Sequence, residues 1–469
     1  MKNFYRQILN GKSSDWMLVF TFFISAISIV SLIYGLGYLL NDLLIQDIHW
    51  EKSTIANWSF FFLVGYVLSY IFVFINQNRI QMSFDLAEKY ILKIYMISLI
   101  SLPMFSRDLF AYLGFGRLWS IYGLNPYAVG YKSISDEYSP YAWFEASTNY
   151  GPLATLISYF PGMGSQISVI YGIFIYKILT LLSCLVFLWL LRRLLEQLKL
   201  SVPIYLMIAL HPMILIEGLV NSHNDVFVLP LLVIIIASIL QKKWMQLALV
   251  APLLPLFKTP LGIITAFVAF YFLFNEKIRH FLVVSGLTCL GMGLFLFSMG
   301  TFQNIQNYTS GSQLFNSFSF LGAFEWLLIQ LFYEKYAATG VAFLSYFGPK
   351  IGSIASILFL SFFIWKKKNE DILKNLSIVM MVIVFFFATQ YWPWYGLWFF
   401  MFPFFVSDMR FKAFGVLICL SGFVIYSPHF SNIVGLGYQE PLTAMFWPII
   451  FMPYFLIFIG YQIYRNQKV

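Results

Sequence analysis

An aspartate that could act as a general base follows the apolar run 90–105, in Ser106-Arg107-Asp108. A carboxylate can accept a proton from an attacking hydroxyl, and a nearby guanidinium, from Arg107 or Arg117, can neutralise a phosphate. An ordinary helix end is the alternative, because Ser106 or Asp108 could cap the helix that begins here. We take Asp108 as the candidate catalytic residue.

A second polar cluster lies in the short turn between two apolar runs and reads Asn221-Ser222-His223-Asn224-Asp225. A polar hairpin capped by Asn or Asp is the alternative, but such a turn needs no histidine. His223 could bind a phosphate oxygen or a sugar hydroxyl, and Asp225 could orient it. Together with Asn224 they form a polar group that is a candidate binding site for a phosphate or a sugar.

Lys258 lies between two prolines, in Pro255-Leu256-Phe257-Lys258-Thr259-Pro260. A lysine on a broken helix could bind the same phosphate. The alternative is that its side chain extends from an apolar segment to the membrane interface.

Aromatic residues cluster in Gln390-Tyr391-Trp392-Pro393-Trp394-Tyr395. Aromatic rings stack on sugars, but Trp and Tyr are also enriched at membrane interfaces. Together with Tyr112 and the turns at 123–127 and 150–152, this run supplies the candidate sugar and acceptor contacts. These are Tyr112, Asn125, Tyr127, Tyr150, Gln390, Trp392 and Trp394.

The elements that must position these residues are membrane helices. The chain is 60% hydrophobic, has a mean hydropathy of +0.78 and is only 10% charged. A water-soluble fold of this length could not bury so much apolar surface. The net charge of +9 does not indicate nucleic-acid binding, because the basic residues are spread between the apolar runs.

We predict an all-α, polytopic membrane helix bundle of about 14 transmembrane helices, at roughly 20 residues per span. The chain would form one integral membrane domain over residues 1–469. The predicted spans are 17–40, 58–75, 90–105, 167–191, 203–220, 226–240, 244–257, 260–274, 281–299, 347–365, 373–389, 395–406, 413–426 and 445–464.

The distribution of basic residues predicts the orientation. With the N-terminus in the cytoplasm and the spans alternating, 21 of the 29 basic residues fall in cytoplasmic segments or, for Lys93 and Lys374, in the first four residues of the span that follows, as the positive-inside rule requires. Both termini are then cytoplasmic. Two long extracytoplasmic loops follow, 106–166 and 300–346, and the first is expected to contain amphipathic helices that lie on the membrane. Asp108, His223, Lys258 and Trp394 all fall on the extracytoplasmic side.

Five segments in this order resemble a known group: SRDLFAYLGFGRLWSIYGLNPY, YGPLATLI, HPMILIEGLVNSHND, FKTP and QYWPWYGLW. They are similar to the GT-C glycosyltransferases, and most closely to the polyprenol-phosphomannose-dependent α-1,6-mannosyltransferases. The resemblance implies a helix bundle with a lateral opening for lipid and a catalytic first outer loop. It implies that Asp108 is the catalytic residue and that His223, Asn224 and Asp225 lie near the donor phosphate.

The expected activity is transfer of a hexose, with mannose expected first, from a polyprenyl-phosphate sugar to an extracytoplasmic glycan or lipid-glycan acceptor. Asp108 would act as general base in a single displacement with inversion. The alternative function is a transporter or flippase of lipid-linked saccharides. It predicts polar residues along a path to both faces, for which Lys177 is the main candidate.

No cofactor and no metal site are expected, and the partners are the lipid-linked sugar, the acceptor and membrane lipid, without nucleic acid. A divalent cation stays open, because Asp136-Glu137 could bind one, but we interpret these two residues as part of a solvated loop.

Overall fold

The computed structural model describes residues 13–40, 52–141, 147–301, 304–305, 352, 354–367, 371–384 and 392–426. The regular secondary structure of these residues is helical, and they contain no β-strand. The all-α prediction is therefore confirmed for the described part of the chain. The predicted span 445–464, Gln390 and nearly all of the predicted loop 300–346 lie outside it.

The chain divides into two compact units. The first unit comprises Met1–Ala237 and Tyr426–Pro428, and the second comprises Ser238–Ile425 and His429–Val469. The helices of the first unit are α1 (Ser13–Leu40), α2 (Lys52–Ile75), α3 (Phe84–Leu99), α4 (Asp108–Ser120), α5 (Pro152–Gly164), α6 (Val169–Gln197), α7 (Val202–Ala209) and the π-helix Met213–Val220. Helix α8 (Leu229–Leu240) begins in this unit.

The second unit is likewise helical where it is described. Its helices are α9 (Trp244–Val250), α10 (Leu254–Phe257), α11 (Gly262–Phe274), α12 (Ile278–Ser298), α13 (354–367), α14 (Ile372–Val382) and α15 (Met409–Ser421).

Three helices of the described chain are long and apolar enough to cross a membrane: Trp58–Ile75 within α2, α6 and α12. A fourth span results if α7 and the π-helix, which are bent by 42° relative to each other, are counted together. Other predicted spans correspond to shorter apolar helices, so the count of about 14 is not confirmed.

The prediction of a helix over 395–406 is wrong, because this segment forms separate 3₁₀ turns, Pro393–Trp398 and Phe402–Phe405. Prolines at the start of both turns cannot donate a helical hydrogen bond.

Three tyrosine hydroxyls stabilise the break between α7 and the π-helix. Because Pro212 has no N–H, the helical hydrogen bonding cannot run through this point. Tyr70 and Tyr66 of α2 donate to the carbonyl oxygens of Met207 and Leu210, each at 2.8 Å. Tyr95 of α3 donates to that of Ala209, also at 2.8 Å. The carbonyl oxygens that the helix break leaves without a helical partner thus receive hydrogen bonds from inside the protein. A break within apolar surroundings requires this.

Helices α4 and α5 pack so closely that their backbones touch. A Cβ atom at Gly116 would lie 1.9 Å from the carbonyl oxygen of Ser158, and one at Gly162 would lie 2.2 Å from the carbonyl carbon of Gly116. Glycine at both positions permits this approach, in the manner of small-residue contacts between membrane helices.

The two helices of the first predicted outer loop differ in surroundings. Helix α4 is buried on every face from Leu109 to Leu118, so it is a core helix and not the expected amphipathic surface helix. Helix α5 buries small residues and exposes an apolar stripe formed by Leu156, Phe160 and Met163. Such a stripe suits contact with lipid.

Candidate functional site

A strained turn follows the π-helix and carries part of the second polar cluster. Ser222 adopts a positive φ of 57°, which is unusual for a residue other than glycine. Lys177 of α6, which is fully enclosed, donates to the carbonyl oxygen of Leu219 at 2.6 Å and lies 3.4 Å from the Ser222 hydroxyl. A cation at the carbonyl end of a helix is favourable. Lys177 thus holds this turn in place. This role explains a lysine inside a predicted span, and no transport path is needed to account for it.

Asp108, Tyr112 and His223 come together in the first unit. Asp108 is the first residue of α4, and its Oδ2 lies 3.4 Å from the Tyr112 hydroxyl and 3.6 Å from His223 Nδ1. The Tyr112 hydroxyl is 3.3 Å from the same imidazole nitrogen. His223 is fully buried, whereas the Asp108 side chain is 14% exposed. Asp108 is therefore the member of this group that can reach a substrate.

Tyr112 serves as a hydrogen-bond donor in this group. Burial raises the pKa of Tyr112 well above its ordinary value, and the neighbouring Tyr150, Asp108, Tyr176 and Asp225 raise it further. The phenol therefore keeps its proton at neutral pH. It can donate that proton to Asp108, or to His223 when Nδ1 of the imidazole carries no proton.

Glu217, which the sequence analysis did not select, lies on the other side of the imidazole. Its side chain is fully buried on the π-helix, and Oε2 is 3.4 Å from His223 Nε2. Asn221 Nδ2 and the Tyr426 hydroxyl donate to the same oxygen at 3.0 and 3.1 Å. An acidic residue inside the predicted span 203–220 is a signal of function that was available in the sequence.

Arg117 is positioned differently from what the sequence suggested. Its five N–H donors all meet protein acceptors: the Tyr131 hydroxyl at 2.7 Å, the carbonyl and hydroxyl oxygens of Ser165 at 3.0 and 3.1 Å, Asp136 at 2.6 Å and Glu137 at 2.7 Å. Since a guanidinium has five donors in total, none remains for a phosphate. Arg117 instead fastens the segment after α4 to the end of α5.

Asp136 forms an ion pair with Arg117. The sequence instead predicts that Asp136 lies in a solvated loop. Its side chain is only 9% exposed. Burial by itself raises the pKa of Asp136, but hydrogen bonds from Tyr122, Tyr131 and Arg117 outweigh burial and hold the pKa below its ordinary value. The carboxylate is therefore ionised at neutral pH and committed to Arg117.

The remaining candidates of the first outer loop have structural contacts as well. Arg107 is exposed beside Asp108. The Asn125 side chain accepts from the backbone N–H of Tyr127 at 3.0 Å, which closes the predicted turn. The Tyr127 hydroxyl donates to the carbonyl oxygen of Tyr150 at 3.1 Å. The ring of Tyr150 in turn contacts Tyr112 edge-to-face at 5.1 Å.

Asn224 and Asp225 are buried beside His223. No hydrogen-bond partner for Asn224 Oδ1 occurs among the described residues, although the atom is enclosed. Both ring nitrogens of His223 face protein groups. The geometry therefore favours a positioning role for His223 over direct binding of phosphate.

The second unit contains the other candidates. Lys258 is buried, with its ammonium 4.9 Å from the ring centre of Tyr395 and 5.3 Å from that of Trp398, which are favourable cation–π distances. This is not the exposed arrangement that extension to the interface predicts. Trp392 and Trp394 stack on each other, with ring centres 5.1 Å apart. Their predicted roles in binding phosphate and sugar stay predictions.

Across the residues that the structure describes, no group of three or more His, Cys, Asp or Glu side chains has the arrangement needed to hold a metal ion.

Comparison with known proteins identifies the family. The family model described as alpha-(1->6)-mannopyranosyltransferase, N-terminal domain, matches residues 25–273, more than half of the chain. Alpha-(1->6)-mannopyranosyltransferase A of Mycobacterium tuberculosis is 31% identical over 150 residues, which are 31% of this chain and 29% of that protein. The match thus spans less than a third of the length of this relative. No solved structure matches. The resemblance to α-1,6-mannosyltransferases is confirmed, and the chain belongs to the alpha-(1->6)-mannopyranosyltransferase family.

Proposed function

We propose that this protein transfers mannose from a polyprenyl-phosphate donor to a glycan or lipid-glycan acceptor on the extracytoplasmic side of the membrane. The observation that carries the proposal is the partly exposed carboxylate of Asp108, oriented by Tyr112 and His223. Membership of a mannosyltransferase family supports the reaction class.

The proposed reaction is a single displacement with inversion. The acceptor hydroxyl oxygen attacks the anomeric carbon, and its proton passes to the Asp108 carboxylate. The bond between the anomeric carbon and the phosphate oxygen breaks, and its electron pair leaves with polyprenyl phosphate. Arg107 is exposed next to Asp108 and is the proposed partner of the negative charge that develops on the leaving group.

The structure gives the transporter alternative little support. Lys177 was its main candidate for a polar path, and its ammonium is committed to carbonyl oxygens at the end of the π-helix. Tyr112 and His223 instead lie against Asp108.

The proposal is tested with purified protein in nanodiscs. Polyprenyl-phosphate mannose and polyprenyl-phosphate glucose are supplied separately, and both sugar transfer and slow donor hydrolysis are followed. Loss of a general base lowers turnover by about 10²–10⁴-fold, so Asp108→Asn should be folded but nearly inactive.

Asp85→Asn is the matched control. It makes the same chemical change at a side chain that is 83% exposed and paired with Arg192, so turnover should not change. An active Asp108→Asn enzyme would refute the assignment of the base. A wild-type protein that binds the donor but leaves it intact would favour transport.

A further inference from the structure

Glu217 is a buried carboxylate that the proposed reaction does not use. It receives two hydrogen bonds on Oε2, from Asn221 and Tyr426, while its Oε1 has no hydrogen-bond partner among the described residues. Enclosing a carboxylate with one unsatisfied oxygen costs stability. A purely structural role therefore explains Glu217 poorly, because an apolar residue would fill this position at lower cost.

The position of Glu217 relative to His223 indicates what it does. The imidazole lies between two carboxylates, with Glu217 on Nε2 at 3.4 Å and Asp108 on Nδ1 at 3.6 Å. Both separations exceed the 2.7–3.2 Å of a well-formed hydrogen bond. Such catalytic contacts are often long before substrate binds and shorten in the complex.

The three side chains differ in exposure. Glu217 and His223 are completely enclosed, whereas Asp108 is partly open. A carboxylate on one ring nitrogen determines which nitrogen carries the proton and favours the charged ring. A positively charged ring in turn favours the ionised form of a carboxylate on its other nitrogen.

We infer that Glu217 is a positioning residue for the transfer reaction. Its carboxylate keeps a proton on His223 Nε2 and holds the ring in place. The ring then keeps Asp108 ionised and directed towards the acceptor hydroxyl. This inference rests on the proposed function, since it assigns to Glu217 a role that acts through His223 on the general base.

The first test is kinetic. Glu217→Gln keeps the size of the side chain and replaces the carboxyl group beside His223 Nε2 by an amide. Loss of a residue that orients an imidazole typically costs about 10–100-fold, and we expect a fall in kcat of that size. The KM for the donor should change by less than about threefold, because the Glu217 side chain is completely enclosed by the protein.

A double-mutant cycle tests whether the effect passes through His223. If it does, the double variant Glu217→Gln/His223→Gln loses no more than about threefold beyond His223→Gln alone. If the fold-loss of turnover in the double variant equals the product of the two single losses, the substitutions act independently and the inference is overturned. Should Glu217→Gln not be monodisperse, Glu217→Asp takes its place in the same cycle, with turnover expected between that of wild type and that of His223→Gln.

The second test does not depend on activity. The chain contains five histidines, so ¹⁵N-histidine labelling gives few imidazole signals, and those lost in His223→Gln identify His223. Glu217→Gln should shift both His223 signals. Ser31→Ala, which removes a buried hydroxyl of the same unit, should leave them in place.

His223 signals that do not respond to Glu217→Gln would overturn the inference. Signals that respond in a protein without transferase activity would refute the proposed function and retain the link between Glu217 and His223.

Discussion

Arg117→Met removes a guanidinium whose five donors all meet protein acceptors, and the cost can be worked out from the exposure of its two acidic partners. The Glu137 side chain is 68% exposed, so that ion pair contributes at most about 1 kcal/mol. The Asp136 side chain is 9% exposed. Removing one partner of a buried pair typically costs about 3–5 kcal/mol, because the other charge stays buried.

The expected loss lies near the lower end of this range. Tyr122 and Tyr131 still donate to Asp136 when Arg117 is replaced, so the carboxylate keeps part of its stabilisation. At about 2.1 cal/mol/K per residue, the unfolding entropy of 469 residues is about 1 kcal/mol/K, so a loss of about 3 kcal/mol lowers the Tm by about 3 °C. Thermal unfolding of the detergent-purified protein measures this shift. Arg79→Met removes an exposed arginine of the same unit and should change stability by less than about 0.5 kcal/mol.

Arg117→Lys separates a structural role from phosphate binding. Lysine keeps the charge but has three donors in place of five, so the Tm should still fall, by less than in Arg117→Met. An unchanged Tm together with a raised KM for the donor would refute the structural role. The double variant Arg117→Met/Asp136→Asn should lose less stability than the two single losses combined, because no buried charge is left unpaired.

Three further outcomes are expected from the same measurement of Tm. The pKa of Asp136 is lower in the folded chain than its ordinary value of 3.8. Its contribution is therefore fully present above about pH 5 and declines progressively as the pH falls below about pH 4 towards the lower pKa of the folded chain, and Asp136→Asn should reduce this loss on the acid side. Gly116→Ala should unfold or strongly destabilise the chain because its Cβ would meet backbone at 1.9 Å. Gly286→Ala, whose Cβ would meet no atom of the described residues within 4 Å, should be neutral or stabilising by up to about 1 kcal/mol. Tyr66→Phe leaves the buried carbonyl of Leu210 without its donor and should cost about 1–3 kcal/mol.

The membrane class and the helical fold could be predicted because apolar composition leaves few alternatives for a chain of this length. Asp108 and His223 could be selected because each is a polar residue at the end of an apolar run. Their separation of 3.6 Å is a property of the folded first unit. The alternation of basic residues predicts that both residues lie on the same side of the membrane. It carries no information on the distance between them.

Glu217 and Arg117 show why the rest could not be predicted. An apolar run indicates a helix, but it does not distinguish an α-helix from a π-helix, and the π-helix directs Glu217 towards His223. Arg117 pairs with residues 19 and 20 positions later in the sequence. That choice depends on the path of the loop after α4, and no periodic pattern predicts this path.

The tyrosine donors at the break after α7 also have a consequence for biosynthesis. The two helices that carry them, α2 and α3, precede the break in the sequence. They are therefore synthesised before the carbonyl oxygens that need them. When residues 202–220 leave the ribosome, partners for their unpaired backbone groups already exist in the nascent chain. A chain that is released after Val220 contains all three donors, whereas a chain without residues 52–99 would expose those carbonyl oxygens to lipid during insertion.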